Sequence, residues 1–148
     1  MTRDEMIDVM SQLMVAKRAH DIDALLALYS KDCVLEQPSL GIRSVGHGAI
    51  RPGLVRFAQV FPDYERAFDG AAVDGNRLVS WGLAQMTLTG VFAGAQPNGK
   101  RASVMTFVVF AFDADRRIAY EGHHWDLASL CRQSGISVDA IWRAQEAA

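Results

Sequence analysis

Ala102-Ser103-Val104-Met105-Thr106-Phe107-Val108-Val109-Phe110-Ala111-Phe112 decides the fold of this 148-residue chain. Its β-branched and aromatic residues favour an extended backbone. Alternation puts Val104, Thr106, Val108, Phe110 and Phe112 on one face and Met105, Phe107, Val109 and Ala111 on the other. Both faces are apolar, so both must be covered. An antiparallel sheet commonly leaves one face wet. Apolar residues on both sides therefore call for helices on one side and a second sheet, from a second subunit, on the other. The expected assembly is a homodimer through the sheet.

Working outward, Tyr64 to Val73, Arg77 to Thr89 and Arg117 to Asp126 are further strand-length stretches. Asp74-Gly75-Asn76, the loop from Gly90 to Lys100, and Asp113-Ala114-Asp115 separate them as turns, giving an antiparallel meander. Gly82 and Gly122 fall inside strand patterns and mark the bends of a strongly curved sheet.

Helices come before this block. From Asp4 to Ala19, Met6, Ile7, Met10, Leu13, Met14 and Ala16 or Lys17 keep helical spacing, with Thr2 as a cap three residues before Glu5. A second helix is expected from Asp21 to Tyr29, with Asp21 as its cap. Cys33 to Gln37 reads as a short strand ended by Pro38, followed by a Gly-rich turn through Gly41 and Gly46-His47-Gly48. A third helix runs from Ala49 to Phe61, with Pro52 near its first turn. After the meander, Leu127 to Ser134 and Val138 to Ala147 read as helical, Trp142 included, and pack on the chain or on a partner. The expected class is α+β in a single domain, 1–148, with the N-terminal helices packed against an antiparallel sheet.

Half of the residues are hydrophobic, enough at this length to bury about 70% of the unfolded surface. A formal charge of -2, with no basic cluster interleaved with aromatics, argues against nucleic acid. No apolar run approaches the roughly 18 residues of a membrane span. Met1 to Glu5 starts acidic without a signal-peptide core, so the expected location is cytoplasmic. Cys33 and Cys131 have no metal or redox spacing and read as small core residues, and the methionines as core filler.

Chemistry concentrates in Glu121-Gly122-His123-His124-Trp125-Asp126, which packs two imidazoles, two carboxylates and an indole together. Alternation groups Tyr120, Gly122, His124 and Asp126 on one face and Glu121, His123 and Trp125 on the other. Either face can line a pocket, and a bulge near Gly122 would bring both sets together. Asp126 reads in two ways. It is a general acid/base whose burial raises its pKa, or it is the cap of the helix starting at Leu127. Glu36 is a second pocket carboxylate or an exposed edge residue. Tyr29, Phe57, Phe61, Trp81 and Trp125 line a pocket or simply fill the core. No third ligand at useful spacing supports a metal site, and the Gly90 to Lys100 loop lacks the spacing of a phosphate-binding loop, so no cofactor is expected. Lys100 and Arg101 read as solvated, and His47 as a loop residue near the start of the third helix.

Several strings then carry a resemblance. Phe61-Pro62-Asp63, Thr87-Leu88-Thr89-Gly90-Val91-Phe92 with Gly94, Pro97-Asn98-Gly99-Lys100, and Asp126 followed by Gln133-Ser134-Gly135 together resemble the SnoaL-like polyketide cyclase family. That family sits within the nuclear transport factor two-like superfamily. The resemblance implies a cone-like α+β barrel closing on a pocket, helices in the concavity of the sheet, and cofactor-free aldol ring closure of a hydrophobic polyketide-like molecule. Asp126 matches the family's acid/base. Its His would fall at Leu88, leaving His123 or His124 to supply an imidazole. The related limonene epoxide hydrolases share the fold, but their Asp-Arg-Asp set is missing, with Gln85, Met86, Thr87 and Leu88 on the corresponding strand. The competing expectations are a non-catalytic binding or assembly module of this fold and an epoxide hydrolase or isomerase with rearranged residues.

Overall fold

The first helix, α1 (Arg3–Ala19), starts where its sequence satisfies its own end. The Thr2 hydroxyl accepts from the Glu5 N–H at 3.2 Å, and the Glu5 carboxylate accepts from the Thr2 N–H at 2.8 Å. This reciprocal box satisfies two otherwise orphaned donors. Met6, Met10 and Leu13 form its buried stripe. Asp21 caps α2 (Ile22–Leu28) by accepting from the Ala24 N–H at 2.9 Å. In this computed structural model, which describes residues 1–146, Tyr29 does not close α2 but opens β1 (Tyr29–Gln37), four residues before the expected start at Cys33.

The expected Gly-rich turn contains a single 3-10 turn, Pro38–Leu40, and a short strand, β2 (Ile42–Val45). Most of β2 is exposed, so no alternation betrays it in the sequence. Helix α3 (Gly46–Val60) begins three residues earlier than expected and contains Pro52.

The stretch from Tyr64 to Val73 is not one strand. It divides into β3 (Glu65–Arg66) and β4 (Gly70–Asp74), both antiparallel to β5 (Arg77–Thr87). Gly82 is the reason. A Cβ there would sit 1.9 Å from the Ala67 carbonyl oxygen, so the chain steps across β5 at the one residue with no side chain. Ala67 and Asp69 hold the crossing by donating to the Leu83 and Trp81 carbonyls at 2.8 and 3.0 Å.

Strands β6 (Arg101–Phe112) and β7 (Ile118–Trp125) complete a sheet of order β2-β1-β7-β6-β5-β3, with β4 also on β5. Its β5–β6–β7 part is the expected meander. The sheet as a whole is mixed, because β1 pairs with β7 in parallel. A parallel pair needs a long crossover, and most of the chain lies between these two strands. Helices α4 (Leu127–Ser134) and α5 (Val138–Glu146) follow. Ala147, expected to end the last helix, lies outside the described residues.

Two apolar clusters fill the interior. One joins Met6, Leu13 and Leu26 of α1 and α2 to Phe110 and Ile118. The other joins Phe61, Leu130 and Ile141 to Met86, Val104 and Trp125. Both cysteines are free and buried, and burial pushes the Cys33 thiol up to about 11. Among the described residues, no helix is long and apolar enough to cross a membrane. The inward residues of β6 are buried, whereas Met105 and Phe107 on its other face are 37% and 48% exposed.

Candidate functional site

Strand β7 carries the site because its pleat is regular. Glu121, His123 and Trp125 lie opposite Phe110, Val108 and Thr106 of β6, all on the inner face. Of the two alternations left open by the sequence, the one containing Glu121 and His123 lines the interior cavity. On the outer face Gly122 makes room for a neighbour. A Cβ there would meet the Tyr120 hydroxyl at 2.6 Å, and that hydroxyl donates to Glu36 at 3.0 Å.

The cavity holds about 110 Å³. Leu35, Ile50, Leu54, Phe57 and Phe61 make its apolar wall, and Lys17, Glu121 and His123 make a polar end. The exposed residues Ile42 and Arg56 mark its opening.

Each polar group has a definite state. The Lys17 ammonium, from the last turn of α1, donates to Glu121 Oε1 at 2.7 Å, and both side chains are almost fully buried. The Tyr29 hydroxyl donates to Glu121 Oε2. Burial and the adjacent carboxylate push that phenol well above its ordinary range, so it stays protonated. Both Glu121 oxygens are thus engaged by strong donors, which is what makes a buried carboxylate tolerable. Lys17 also lies at a helix C-terminus, where the dipole favours a cation.

His123 is 2% exposed and stacks on Trp125, with ring centroids 4.3 Å apart. Its Nε2 has no hydrogen-bond partner. Burial first, then the positive charges of Lys17 and Arg66, hold its pKa well below the ordinary imidazole value. It is a neutral base at pH 7, with unspent hydrogen-bonding capacity in an apolar chamber.

The other expected site residues are dispersed. Asp126 does not line the cavity. It is exposed and caps α4 by accepting from the Ser129 N–H at 3.1 Å, and the Ser129 hydroxyl first, then that N–H, lower its pKa. This is the cap, one of the two readings the sequence offered for it. His124 is exposed on the outer face, in register with Phe107. Glu36 also faces outward, accepting from Arg43 at 2.9 Å as well as from Tyr120. Trp81 is half-buried on the outer side, against Gly70. Phe57 and Phe61 line the cavity, Tyr29 reaches it through Glu121, and Trp125 backs His123.

Lys17 is the residue that the sequence reading left unused. Its signal was a lysine in register with Met6, Met10 and Leu13, on the stripe that faces the core. Among the described residues, no group of three or more His, Cys, Asp or Glu is placed to hold a metal.

Comparisons with known proteins agree with this architecture. The family model of the SnoaL-like domain matches residues 10–121. No curated protein matches the sequence. Among solved structures, the chain is similar to a protein of ketosteroid isomerase-like fold from Catenulispora acidiphila, solved with trimethylamine. The TM-score is 0.76 at 15% identity, over 88% of this chain and 95% of that one. It is similar also to a protein from Shewanella denitrificans described as a SnoaL-like polyketide cyclase, with a TM-score of 0.78 at 16% identity over 89% and 97% of the two chains. An LEH-like epoxide hydrolase from M. tuberculosis gives 0.69 at 19% identity, over 88% and 90%. At such identities the likeness speaks to the fold alone.

Proposed function

Since this chain belongs to the SnoaL-like domain family, whose fold hosts several chemistries, we propose that it is a cofactor-independent enzyme moving a proton at carbon in a hydrophobic carbonyl compound. The observation that carries the reading is the neutral, buried and unpartnered His123 Nε2 beside the buried Lys17 ammonium in one apolar cavity. Glu121 has both oxygens committed, so the base is His123. Lys17 spends one N–H on Glu121 and keeps others for an incoming oxygen.

The step balances simply. His123 takes the proton from the carbon next to the carbonyl. The C–H pair becomes the enolate C=C bond, and the carbonyl π pair moves to oxygen, where Lys17 stabilises it. In a ring closure the enolate carbon then attacks a second carbonyl of the same molecule, and the new alkoxide takes the proton back from the imidazolium. In a simple isomerisation the proton returns to another carbon.

The test needs no knowledge of the natural substrate. Small cyclic ketones incubated with the protein in deuterium oxide should exchange their α-hydrogens, followed by NMR. His123→Gln should slow that exchange about 100-fold or more, and Lys17→Met should also slow it. Exchange unaffected by His123→Gln in a folded variant would sink the reading and leave the non-catalytic binding module in front.

The outer face of the sheet supports a homodimer. Leu83, Met105 and Phe107 are exposed there on adjacent strands, beside half-buried Val79, Trp81 and Val109. A contiguous apolar patch of this kind marks an interaction surface. Phe107→Arg should convert a dimer to a monomer in sedimentation velocity, and a monomeric wild type would end the idea.

A further inference from the structure

The reacting chamber is too small to be the whole site. At about 110 Å³ it is smaller than the apolar cavity of about 150 Å³ that accepts a benzene ring. Whatever reaches Lys17 and His123 is therefore no larger than one small ring, and any further part of the molecule must lie elsewhere.

A second concavity, about 400 Å³, lies against the first. Leu40, Ile42, Arg56 and Phe92 line both spaces, so the two are direct neighbours. On the far side the walls include Ile141 and Ala144, so α5 flanks this outer groove with apolar surface. One charged residue, the exposed Arg56, borders the groove. Arg56 forms no ion pair among the described residues, whereas Arg43, Arg51 and Arg101 each sit on a carboxylate.

We propose that the chamber and the groove under α5 are two compartments of one site. The ligand is an elongated acidic amphiphile. Its small carbonyl head fills the chamber, its apolar body passes Phe92, and its distal carboxylate meets Arg56 at the groove. Adjacency of the two spaces sets the shape of the ligand, and the unpaired guanidinium sets the sign of its far end. The orientation rests on the assignment of the Lys17–His123 end as the reacting end, whereas the two compartments stand on geometry alone.

The experiment reads binding, not turnover. Phenylacetate, phenylbutyrate, phenylhexanoate and phenyloctanoate, each with its matched primary amide, are titrated into the full chain by isothermal calorimetry. Affinity should rise with chain length to an optimum. At that optimum the acid should bind about two- to fivefold tighter than the amide, the range expected for a solvent-exposed ion pair, and salt should erode the preference. Arg56→Gln should abolish the preference and Arg56→Lys should retain it. Ile141→Trp, which fills the groove, should weaken the long members and spare phenylacetate.

Affinity independent of length, or failure of every member to bind, would overturn the proposal. So would an acid preference that survives Arg56→Gln and disappears in Lys17→Met, because the carboxylate would then sit at the inner end. Absence of ketone exchange together with Arg56-dependent binding would remove the chemistry and leave the two-compartment site. Ketone exchange without Arg56 dependence would do the reverse.

Discussion

The two faces of β7 carry the same side chain at adjacent positions and use it differently. His123 points inward, loses its water and its charge, and stands in an apolar chamber with a free ring nitrogen. His124 points outward and remains solvated among exposed apolar side chains. A one-residue step along a strand reverses the environment, so the pleat, and not the residue type, selects which imidazole is available for chemistry. On the inner face the charges of Lys17 and Glu121 meet in one buried pair, whereas Glu36 on the outer face shares its carboxylate with an exposed arginine and a tyrosine.

The largest test of that contrast is to break the inner pair. Lys17→Met or Glu121→Gln leaves a buried charge uncompensated and should cost about 3–5 kcal/mol in urea denaturation. Glu36→Gln, an equivalent loss on the outer face, should cost less than about 1 kcal/mol. The double replacement Lys17→Met with Glu121→Gln should lose less than either inner single variant. Strict additivity of the two would remove the pairing argument.

A smaller effect separates the faces by pH. His123 has a depressed pKa in the folded protein, while the unfolded chain takes up a proton near the ordinary value of 6.5. Below that value the unfolded state binds more protons. Stability should therefore be full above it and fall as pH drops toward the folded-state value, by up to about 1.4 kcal/mol per pH unit. His123→Asn should flatten that part of the profile. A profile unchanged by the substitution would mean that the imidazole is not held neutral.

The smallest effect concerns Asp126. Asp126→Ala should lose about 1 kcal/mol of stability as α4 loses its cap, and Asp126→Asn, another good cap, should lose almost nothing. Both should keep ketone exchange. Exchange lost in a folded Asp126→Asn would return the acid/base role to that residue and displace His123.

These residues also mark how far the sequence could be read. The capping box of Thr2 and Glu5 and the two apolar faces of β6 are local patterns, and each was legible because its cause lies within a few residues, whereas the cause of Gly82, the crossing at Ala67, lies elsewhere in the chain. The clustering of Glu121, His123 and Trp125 was legible as well, but the choice of face was not, because a period of two fits either assignment equally. The Lys17–Glu121 pair joins residues 104 positions apart, beyond the reach of any local pattern. The parallel β1–β7 contact was hidden for the same reason, whereas β2, paired with β1 a few residues away, was hidden because its exposed residues carry no alternation. Asp126 was ambiguous because a helix cap and a pocket acid ask for the same residue at the same point.

The position of β7 between β1 and β6 also governs the order of assembly. Before residues 118–125 dock, β1 and β6 present two unsatisfied strand edges, each a template for pairing with another chain. The β6 edge closes through a local hairpin, so docking β7 on β1 is the long-range event, the kind that dominates folding time in sheets of high contact order. The same event brings Glu121 to Lys17 and sets His123 against the cavity. A partly folded chain therefore has no binding site to expose, and the step that ends its exposure to aggregation is also the step that makes it competent to bind.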